Sequence, residues 1–438
     1  MPGRRGAGRR PLPRRRRPGL VLAGAAVLAA AAVAACSAPP RPTPAPAPDL
    51  VRSNYERATG DTVPRDCGYS VPLPGRPGWS LWLFCDTAVT SARGTKIDRL
   101  ILGTDTAAAG PYQPGQVPDR LSEIPTPPTP AARPSDGAPE PFLPAPQHLV
   151  LPGSTQPCSG SGRYPAAWIT GVAAEPGPAA RGQVLISYND YCVTGDAGSL
   201  GTDVPGSLTP EGTGLAEYDP ASNRLGPLEQ VFGGTFGLAQ AGVALPVQQV
   251  LGSPVFHAGY LYLFGFCSAA TLPTGCATGK VFMVRVQATP AAWQNPLSYQ
   301  YWTGQCQSKQ GQSKQGQLRQ NQTRPCWSLD PNTAASVLPA GQPLGISAGD
   351  YSADGHQLVL VEQTSLAGDF QVWQAASPTG PWRRVRTGRV PCRPGPGPGA
   401  GELCRALIGH PELSTRNQLE ISYFNPGDGH VDASAYPW

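Results

Sequence analysis

Residues 65–87, RDCGYSVPLPGRPGWSLWLFCDT, decide how the chain is read. Two strand-like runs, CGYSVPL and WSLWLFCD, flank a turn built on Pro74-Gly75-Arg76-Pro77-Gly78, the pattern of a β-hairpin. Opposed residues in an antiparallel hairpin keep a constant sum of residue numbers. Cys67 with Cys85 and Asp66 with Asp86 share one sum, so a disulfide between opposed cysteines would set the two aspartates against each other on the other face. Their Cβ atoms are then expected roughly 4.5–5.5 Å apart. At that range two carboxylates resist double ionisation and one pKa rises.

The second strand of this hairpin recurs. LWLFCDT (81–87), VLISYND (184–190), LYLFGFC (261–267), LVLVEQT (358–364) and LEISYFN (419–425) each follow a turn and end polar. Five copies predict an all-β, five-bladed β-propeller. The body from residue 51 to residue 438 gives about 78 residues per blade, with insertions at 110–152 (proline-rich) and 307–321 (glutamine-rich) accounting for the excess. Spacing over the whole body is awkward for the rival β-sandwich. Trp168–Val172, Gly252–Phe256 and Cys404–Leu413 are expected as inner strands of blades two, three and five, and Phe370–Trp382 as an outer strand with its turn.

The N-terminus carries a different message. Residues 1–17 hold eight arginines and no acid, Leu20–Ala35 is apolar and alanine-rich, and Val33-Ala34-Ala35-Cys36 resembles a bacterial lipobox. This is an export-signal pattern, too short for a spanning helix. Residues 1–35 are read as a lipoprotein signal, with the arginine pairs leaving twin-arginine export open. Residues 36–50 are read as a lipidated Cys36 and a proline-rich tether, which places the body on the extracytoplasmic face of a membrane. Ordinary cleavage that leaves Cys36 a thiol is the alternative. Without the eight arginines, 26 basic residues face 29 acidic ones, so nucleic acid is not an expected partner. Only four of the basic residues are lysine, a GC-rich and, with the lipobox, actinobacterial trait.

Ten cysteines follow Cys36 and read as five disulfides that reinforce the propeller. Pairing neighbours gives Cys67–Cys85, Cys158–Cys192, Cys267–Cys276, Cys306–Cys326 and Cys392–Cys404. The absence of CxxC and the five histidines argue against a metal site, and neither a P-loop nor H-E-x-x-H occurs.

Asp66 in RDCGYS, LWLFCDT, the SPTGPW turn and GHPEL followed by SYFN resemble the five-bladed propeller glycoside hydrolases (arabinanases, levansucrases, invertases). They are closer still to a bacterial secreted family that includes endo-D-arabinofuranases. The resemblance implies that Asp66 acts as base or nucleophile and that His410 helps hold a water or ion in the central channel. It implies an envelope polysaccharide of furanoside type as partner and no cofactor beyond such a structural ion. The second- and third-blade acids of those enzymes have no counterpart: Trp168-Ile169-Thr170 and Ser253-Pro254 stand there. A general acid must then come from Asp86, Asp190, Glu362 or Glu412, since glycoside cleavage needs an acid and a base or nucleophile.

Structural alternatives stand beside each of these. Asp86 and Asp190 suit turn caps, His410 suits a structural hydrogen-bonding role, Glu362 suits solvent, and Trp82, Trp168, Trp373 and Trp382 suit packing. Asp66, Asp86, His410, Glu412, Asp190 and Glu362 are expected to converge at the channel mouth. Recognition with hydrolysis, a non-catalytic glycan- or protein-binding propeller, and a scaffold whose acids only cap turns all remain open.

Overall fold

A computed structural model describes residues 49–92, 97–128, 134–146, 158, 163–176, 182–194, 208–233, 250–266, 279–307, 323–330, 333–339, 341, 343–352, 355, 357–395 and 403–438. The signal segment, Cys36, most of the tether, Cys267, Cys276 and the glutamine-rich run lie outside the described residues.

The described chain opens with β1 (Asp49–Leu50) and α1 (Asn54–Thr59). Five antiparallel groups follow. Blade I holds β2 (Arg65–Pro72), β3 (Trp79–Thr90), β4 (Ile97–Ile101), β5 (Thr106–Pro111) and β6 (Ser122–Ile124), and blade II holds β7 (Arg163–Ala174), β8 (Val184–Thr194), β9 (Leu208–Asp219), β10 (Arg224–Leu225) and β11 (Glu229–Gly233). Blade III holds β12 (Val250–His257), β13 (Tyr260–Phe266), β14 (Val281–Gln287), β15 (Gln300–Gln307) and β16 (Thr323–Ser328). Blade IV holds β17 (Gly345–Asp350), β18 (Leu358–Gln363), β19 (Asp369–Ala375) and β20 (Arg383–Arg389), and blade V holds β21 (Arg405–Gly409), β22 (Gln418–Asn425) and β23 (His430–Pro437).

The inner strands β2, β7, β12, β17 and β21 touch in a closed ring, each packed on the next and β21 back on β2. The five repeated sequence runs are the second strands, β3, β8, β13, β18 and β22. Their alternation feeds two cores at once. Leu81 and Leu83 of β3 face the core shared by blades I and II, whereas Trp82 and Phe84 face the core shared by blades V and I. Likewise Leu261 and Leu263 of β13 pack toward blade II, and Tyr262 and Phe264 toward blade IV. Radial stacking thus buries both faces of every blade, so these strands read as near-continuous apolar runs.

The ring closes tightly because glycines sit where inner strands meet. A Cβ on Gly171 of β7 would stand 2.5–2.7 Å from Pro254 and Ser253 of β12, and one on Gly252 of β12 would stand 2.3–2.6 Å from Thr170. Side chains tie the same seams: Thr170 Oγ1 donates to the Leu251 carbonyl at 3.2 Å, Ser253 Oγ to the Ile346 carbonyl at 3.3 Å, and the Gly409 amide to Ser347 Oγ at 3.3 Å. Gly345-Ile346-Ser347-Ala348-Gly349 fits the G-x-S-x-G pattern but forms this extended β17. It is not the strand–turn–helix elbow a serine nucleophile needs.

The chain ends join in blade V. Asp49 and Leu50, at the end of the proline-rich stretch, pair with Ala433 and Asp432 of β23. Helix α1 then begins at Ser53, which forms a capping box with Glu56. Within 110–152, β6 adds the outermost strand of blade I, and Phe142 and Leu143 are buried in the core between blades I and II. Three of the expected disulfides form: Cys67–Cys85, Cys158–Cys192 and Cys392–Cys404, with Cα atoms 5.4, 5.6 and 6.0 Å apart. Cys326 is disulfide-bonded, while the side chain of Cys306 lies outside what is described.

His430 Nε2 meets Glu56 Oε1 at 3.2 Å and helps fasten α1 to blade V. Burial opposes charge on Glu56, but hydrogen bonds from His430 and the Val63 and Ser53 amides outweigh it and lower its pKa. Burial also opposes charge on His430, yet Glu56 and Asp428 raise its pKa. The lowered carboxylate stabilises the fold above its ordinary pKa of 4.5, and the raised imidazole does so below its ordinary 6.5. The pair therefore acts in full between those values and weakens on either side. His430→Gln is expected to lower stability by about 0.5–1 kcal/mol near mid-window and by less at alkaline pH. Thermal denaturation across that range checks it, and a loss that grows with pH would contradict the pairing.

Candidate functional site

The first halves of β2, β17 and β21 and the middle of β7 line one end of the channel, and the second halves of all five inner strands line the other, which gives two mouths. The N-terminal mouth, a cavity of about 260 Å³, is lined by Asp66, Asp86, Trp168, Tyr191, Ile346 and Arg405 among others. The C-terminal mouth, about 510 Å³, is lined by residues of all five inner strands and by Tyr112 and Glu412. Tyr69 and Ile408 line both and separate them.

Asp66 lies where the hairpin register breaks. Tyr69↔Leu83 and Arg65↔Thr87 keep the expected register, but between them Cys67 pairs with Phe84. The backbone achieves this with φ of +67° at Cys67 and +101° at Gly68. The expected opposition of Cys67 with Cys85, and of Asp66 with Asp86, is therefore replaced by a bulge. Each carboxylate has its own donors instead. Asp66 Oδ2 accepts from Arg405 Nε at 2.6 Å and Oδ1 from the Cys67 amide at 2.7 Å. Asp86 Oδ1 accepts from the Gly103 amide at 2.9 Å and from the Trp168 indole N–H at 3.0 Å. Trp168 packs on Tyr191 with ring centroids 5.2 Å apart, and both rings are only half-buried.

Behind Asp86 sits Asp105, fully buried, with Oδ1 accepting from the Ile169 amide at 3.3 Å and Oδ2 without a partner. Burial pushes its pKa well above the carboxylate range, the Ile169 amide opposes this, and the Asp86 charge adds to it. Burial also raises Tyr69, with the Asp66 charge contributing, and Tyr191 is pushed up to about 12. The mouth thus combines two accepting carboxylates, a guanidinium and a half-buried aromatic pair, with the buried Asp105 behind them.

The other expected site residues do not join this group. His410 is fully buried and lines neither mouth: Nδ1 meets Ser70 Oγ at 2.6 Å, Nε2 meets Ser422 Oγ at 2.7 Å, and the ring stacks on Trp82 at 4.9 Å. Burial drives its pKa down to about 3, so it is neutral. Glu412 lines the C-terminal mouth, with Oε1 accepting a hydrogen bond from the Ser70 hydroxyl and its pKa raised by burial to about 7. Asp190 on β8 and Glu362 on β18 are buried and line neither mouth. Glu362, which the sequence left free to face solvent, accepts from the Trp373 indole at 2.8 Å, and burial raises its pKa. Of the six expected residues, only Asp66 and Asp86 line one mouth together.

Ser70, His410 and Ser422 form a directional chain. With Glu412 ionised, Ser70 donates to it, His410 donates Nδ1–H to Ser70, and Ser422 donates to Nε2. With Glu412 protonated every bond reverses, and Ser422 donates to the Gly68 carbonyl, 3.4 Å away.

Sequence reasoning missed Arg405, Asp105, Tyr69 and Tyr191. Asp105 lies in a segment with no recognisable motif, and Arg405 lies in the expected inner strand Cys404–Leu413, where no motif marked its side chain. Gly68 beside Cys67 was a readable bulge signal. Among the described residues no cluster of three or more metal-ligating side chains occurs.

No family model matches the chain, and no curated protein matches its sequence. Among solved structures, a Bacteroides ovatus ATCC 8483 protein provisionally named a hydrolase shares 14% identity at TM-score 0.48, over 85% of this chain and 86% of that one. Zg3597, a family 117 glycoside hydrolase from the marine bacterium Zobellia galactanivorans, shares 8% at TM-score 0.40, over 89% of each chain. The xylose complex of the GH43_1 enzyme from Xanthomonas citri shares 10% at TM-score 0.38, over 88% and 91%. Likeness at this level assigns no activity, and the propeller fold rests on the strand order and the ring of inner strands.

Proposed function

We propose that the chain is a lipid-anchored, extracytoplasmic protein that binds furanoside-type envelope glycans at the N-terminal mouth. One observation carries this: Trp168 and Tyr191 offer half-exposed rings beside Asp66, Asp86 and Arg405 in a single cavity. Sugars present apolar C–H faces and a rim of hydroxyls, so an aromatic wall set among a few fixed polar groups suits them. The anchor rests on Val33–Cys36, and the furanoside class on the resemblance of the RDCGYS, SPTGPW and GHPEL motifs.

A second reading, hydrolysis, is favoured because Asp66 and Asp86 line the same cavity. Water then adds across the glycosidic bond: its hydroxyl goes to the anomeric carbon and its proton to one carboxylate, while the other, as a carboxylic acid, gives its proton to the leaving oxygen. Arabinogalactan and lipoarabinomannan test both readings. Binding is expected for the wild type, with Trp168→Ala weakening it about tenfold or more. Reducing ends released by the wild type but not by Asp66→Asn or Asp86→Asn establish hydrolysis. Binding without release leaves a recognition module, and absence of both overturns the proposal.

A further inference from the structure

The C-terminal mouth is the larger cavity, and glycan binding at the other end does not use it. Its walls are largely apolar, with Val172, Pro254, Phe256, Pro411 and the ring of Tyr112 beside Ser70, Ser253 and Ser347. Its charged groups are acids only, Glu412 within and Asp350 at the rim, with no lysine, arginine or histidine in the lining. Glu412 Oε1 is occupied by Ser70, while Oε2 is buried with no hydrogen-bond partner. Asp350 is already engaged by the Ser352 amide at 2.9 Å.

An orphaned carboxylate oxygen lacks a donor, a deficit that a bound N–H would relieve. Acid without base repels anions and favours cations. Proline and aromatic walls call for a carbon skeleton, and ring faces favour a positive charge near them. We propose that the C-terminal mouth binds a small organic ammonium ion, which donates N–H to Glu412 Oε2 and lays its apolar body against Phe256, Pro254 and Tyr112. This site is separate from the glycan mouth, with Tyr69 and Ile408 between them.

The groups facing Glu412 are Ser70, His410 behind it, and Tyr112, whose pKa burial and the Glu412 charge both raise. The neutral imidazole supplies no cation, so the ligand must. Glu412 ionises near pH 7, so ammonium affinity should rise as pH increases through that point.

Calorimetric titration of the full chain with 2-phenylethylammonium and, separately, with 2-phenylethanol tests the site. The ammonium is expected to bind about tenfold or more tightly than the alcohol at pH 8 and to lose that advantage at pH 6. Glu412→Gln should abolish the preference. Val172→Lys, which places a competing ammonium at the half-buried wall, should block the ligand with an unchanged circular dichroism spectrum. Equal affinity for both probes, binding of neither by the folded wild type, or a preference that survives Glu412→Gln would overturn the proposal. Glycan binding is expected to be untouched by Glu412→Gln, so the two sites fail independently.

Discussion

Arg65→Ala is expected to destabilise the protein by about 3–5 kcal/mol, because it strands a charge inside blade I. Arg65 and Glu123 are 5% and 2% exposed, and Nη2 meets Oε2 at 2.6 Å. The pair crosses the whole blade: Arg65 starts inner strand β2, its guanidinium lies 4.4 Å over the Phe84 ring of β3, and Glu123 belongs to outermost strand β6. The intervening β5 carries only alanine at 107–109. Glu123 Oε1 also accepts from Ser53 Oγ at 2.7 Å, so the same carboxylate anchors the cap of α1 and the N-terminal closure of the ring. Truncating Arg65 leaves Glu123 with one neutral donor in an apolar layer of Trp82, Phe84 and Leu121. Adding Glu123→Gln to Arg65→Ala should recover part of the loss, since the remaining group no longer carries charge. Guanidinium unfolding midpoints of the single and double variants measure this coupling. A single-variant loss under about 1 kcal/mol would show that water reaches Glu123 and that the pair behaves as a surface bridge.

The fold was legible from the second strands because their chemistry is forced from both sides. Leu81 to Phe84, Leu261 to Phe264 and Leu358 to Val361 each supply alternate residues to two different cores, so no polar position interrupts them. The same property hid the site. Where both faces of a strand are buried, alternation no longer tells which way a carboxylate points, so Asp190 and Glu362 looked as available as Asp86. The hairpin argument for Asp66 and Asp86 placed them in the right blade and failed on register, because Cys67 and Gly68 take left-handed backbone that a constant-sum rule does not foresee. Arg405 was illegible for another reason. Its partner Asp66 lies 339 residues earlier, and only closure of the ring brings β21 onto β2. The two-residue strand Asp49–Leu50, flanked by proline-rich sequence, is too short for any periodicity to mark.

His410 offers the sharpest separation of a structural from a ligand-holding role, through the pH dependence of its removal. Both ring nitrogens are taken by serines, so His410→Asn opens space under Trp82 and loosens Ser70 and Ser422. A loss of about 3 kcal/mol at neutral pH is expected. That loss should shrink in acid. Folding drives the imidazole pKa from 6.5 down to about 3, so between those values the unfolded chain binds a proton that the folded chain refuses. Wild-type stability then falls with acid by about 1.4 kcal/mol per pH unit from this group, whereas the asparagine variant has no such slope. Near pH 5 the penalty should have shrunk to about 1 kcal/mol. Glu412 acts in the opposite sense: its pKa rises from 4.5 to about 7, so it stabilises below the lower value and loses that contribution as pH rises through the upper one. The two slopes offset each other between about pH 4.5 and 6.5, which gives the wild type a flat stability profile there, from these two groups, that either single substitution tilts in its own direction. Urea midpoints at pH 5, 6 and 7 read the tilt directly. A His410→Asn penalty that stays constant or grows toward pH 5 would mean that the imidazole is protonated in the fold and paired with Glu412. The chain Glu412–Ser70–His410–Ser422 would then be an ionic relay and not the neutral, reversible one described here.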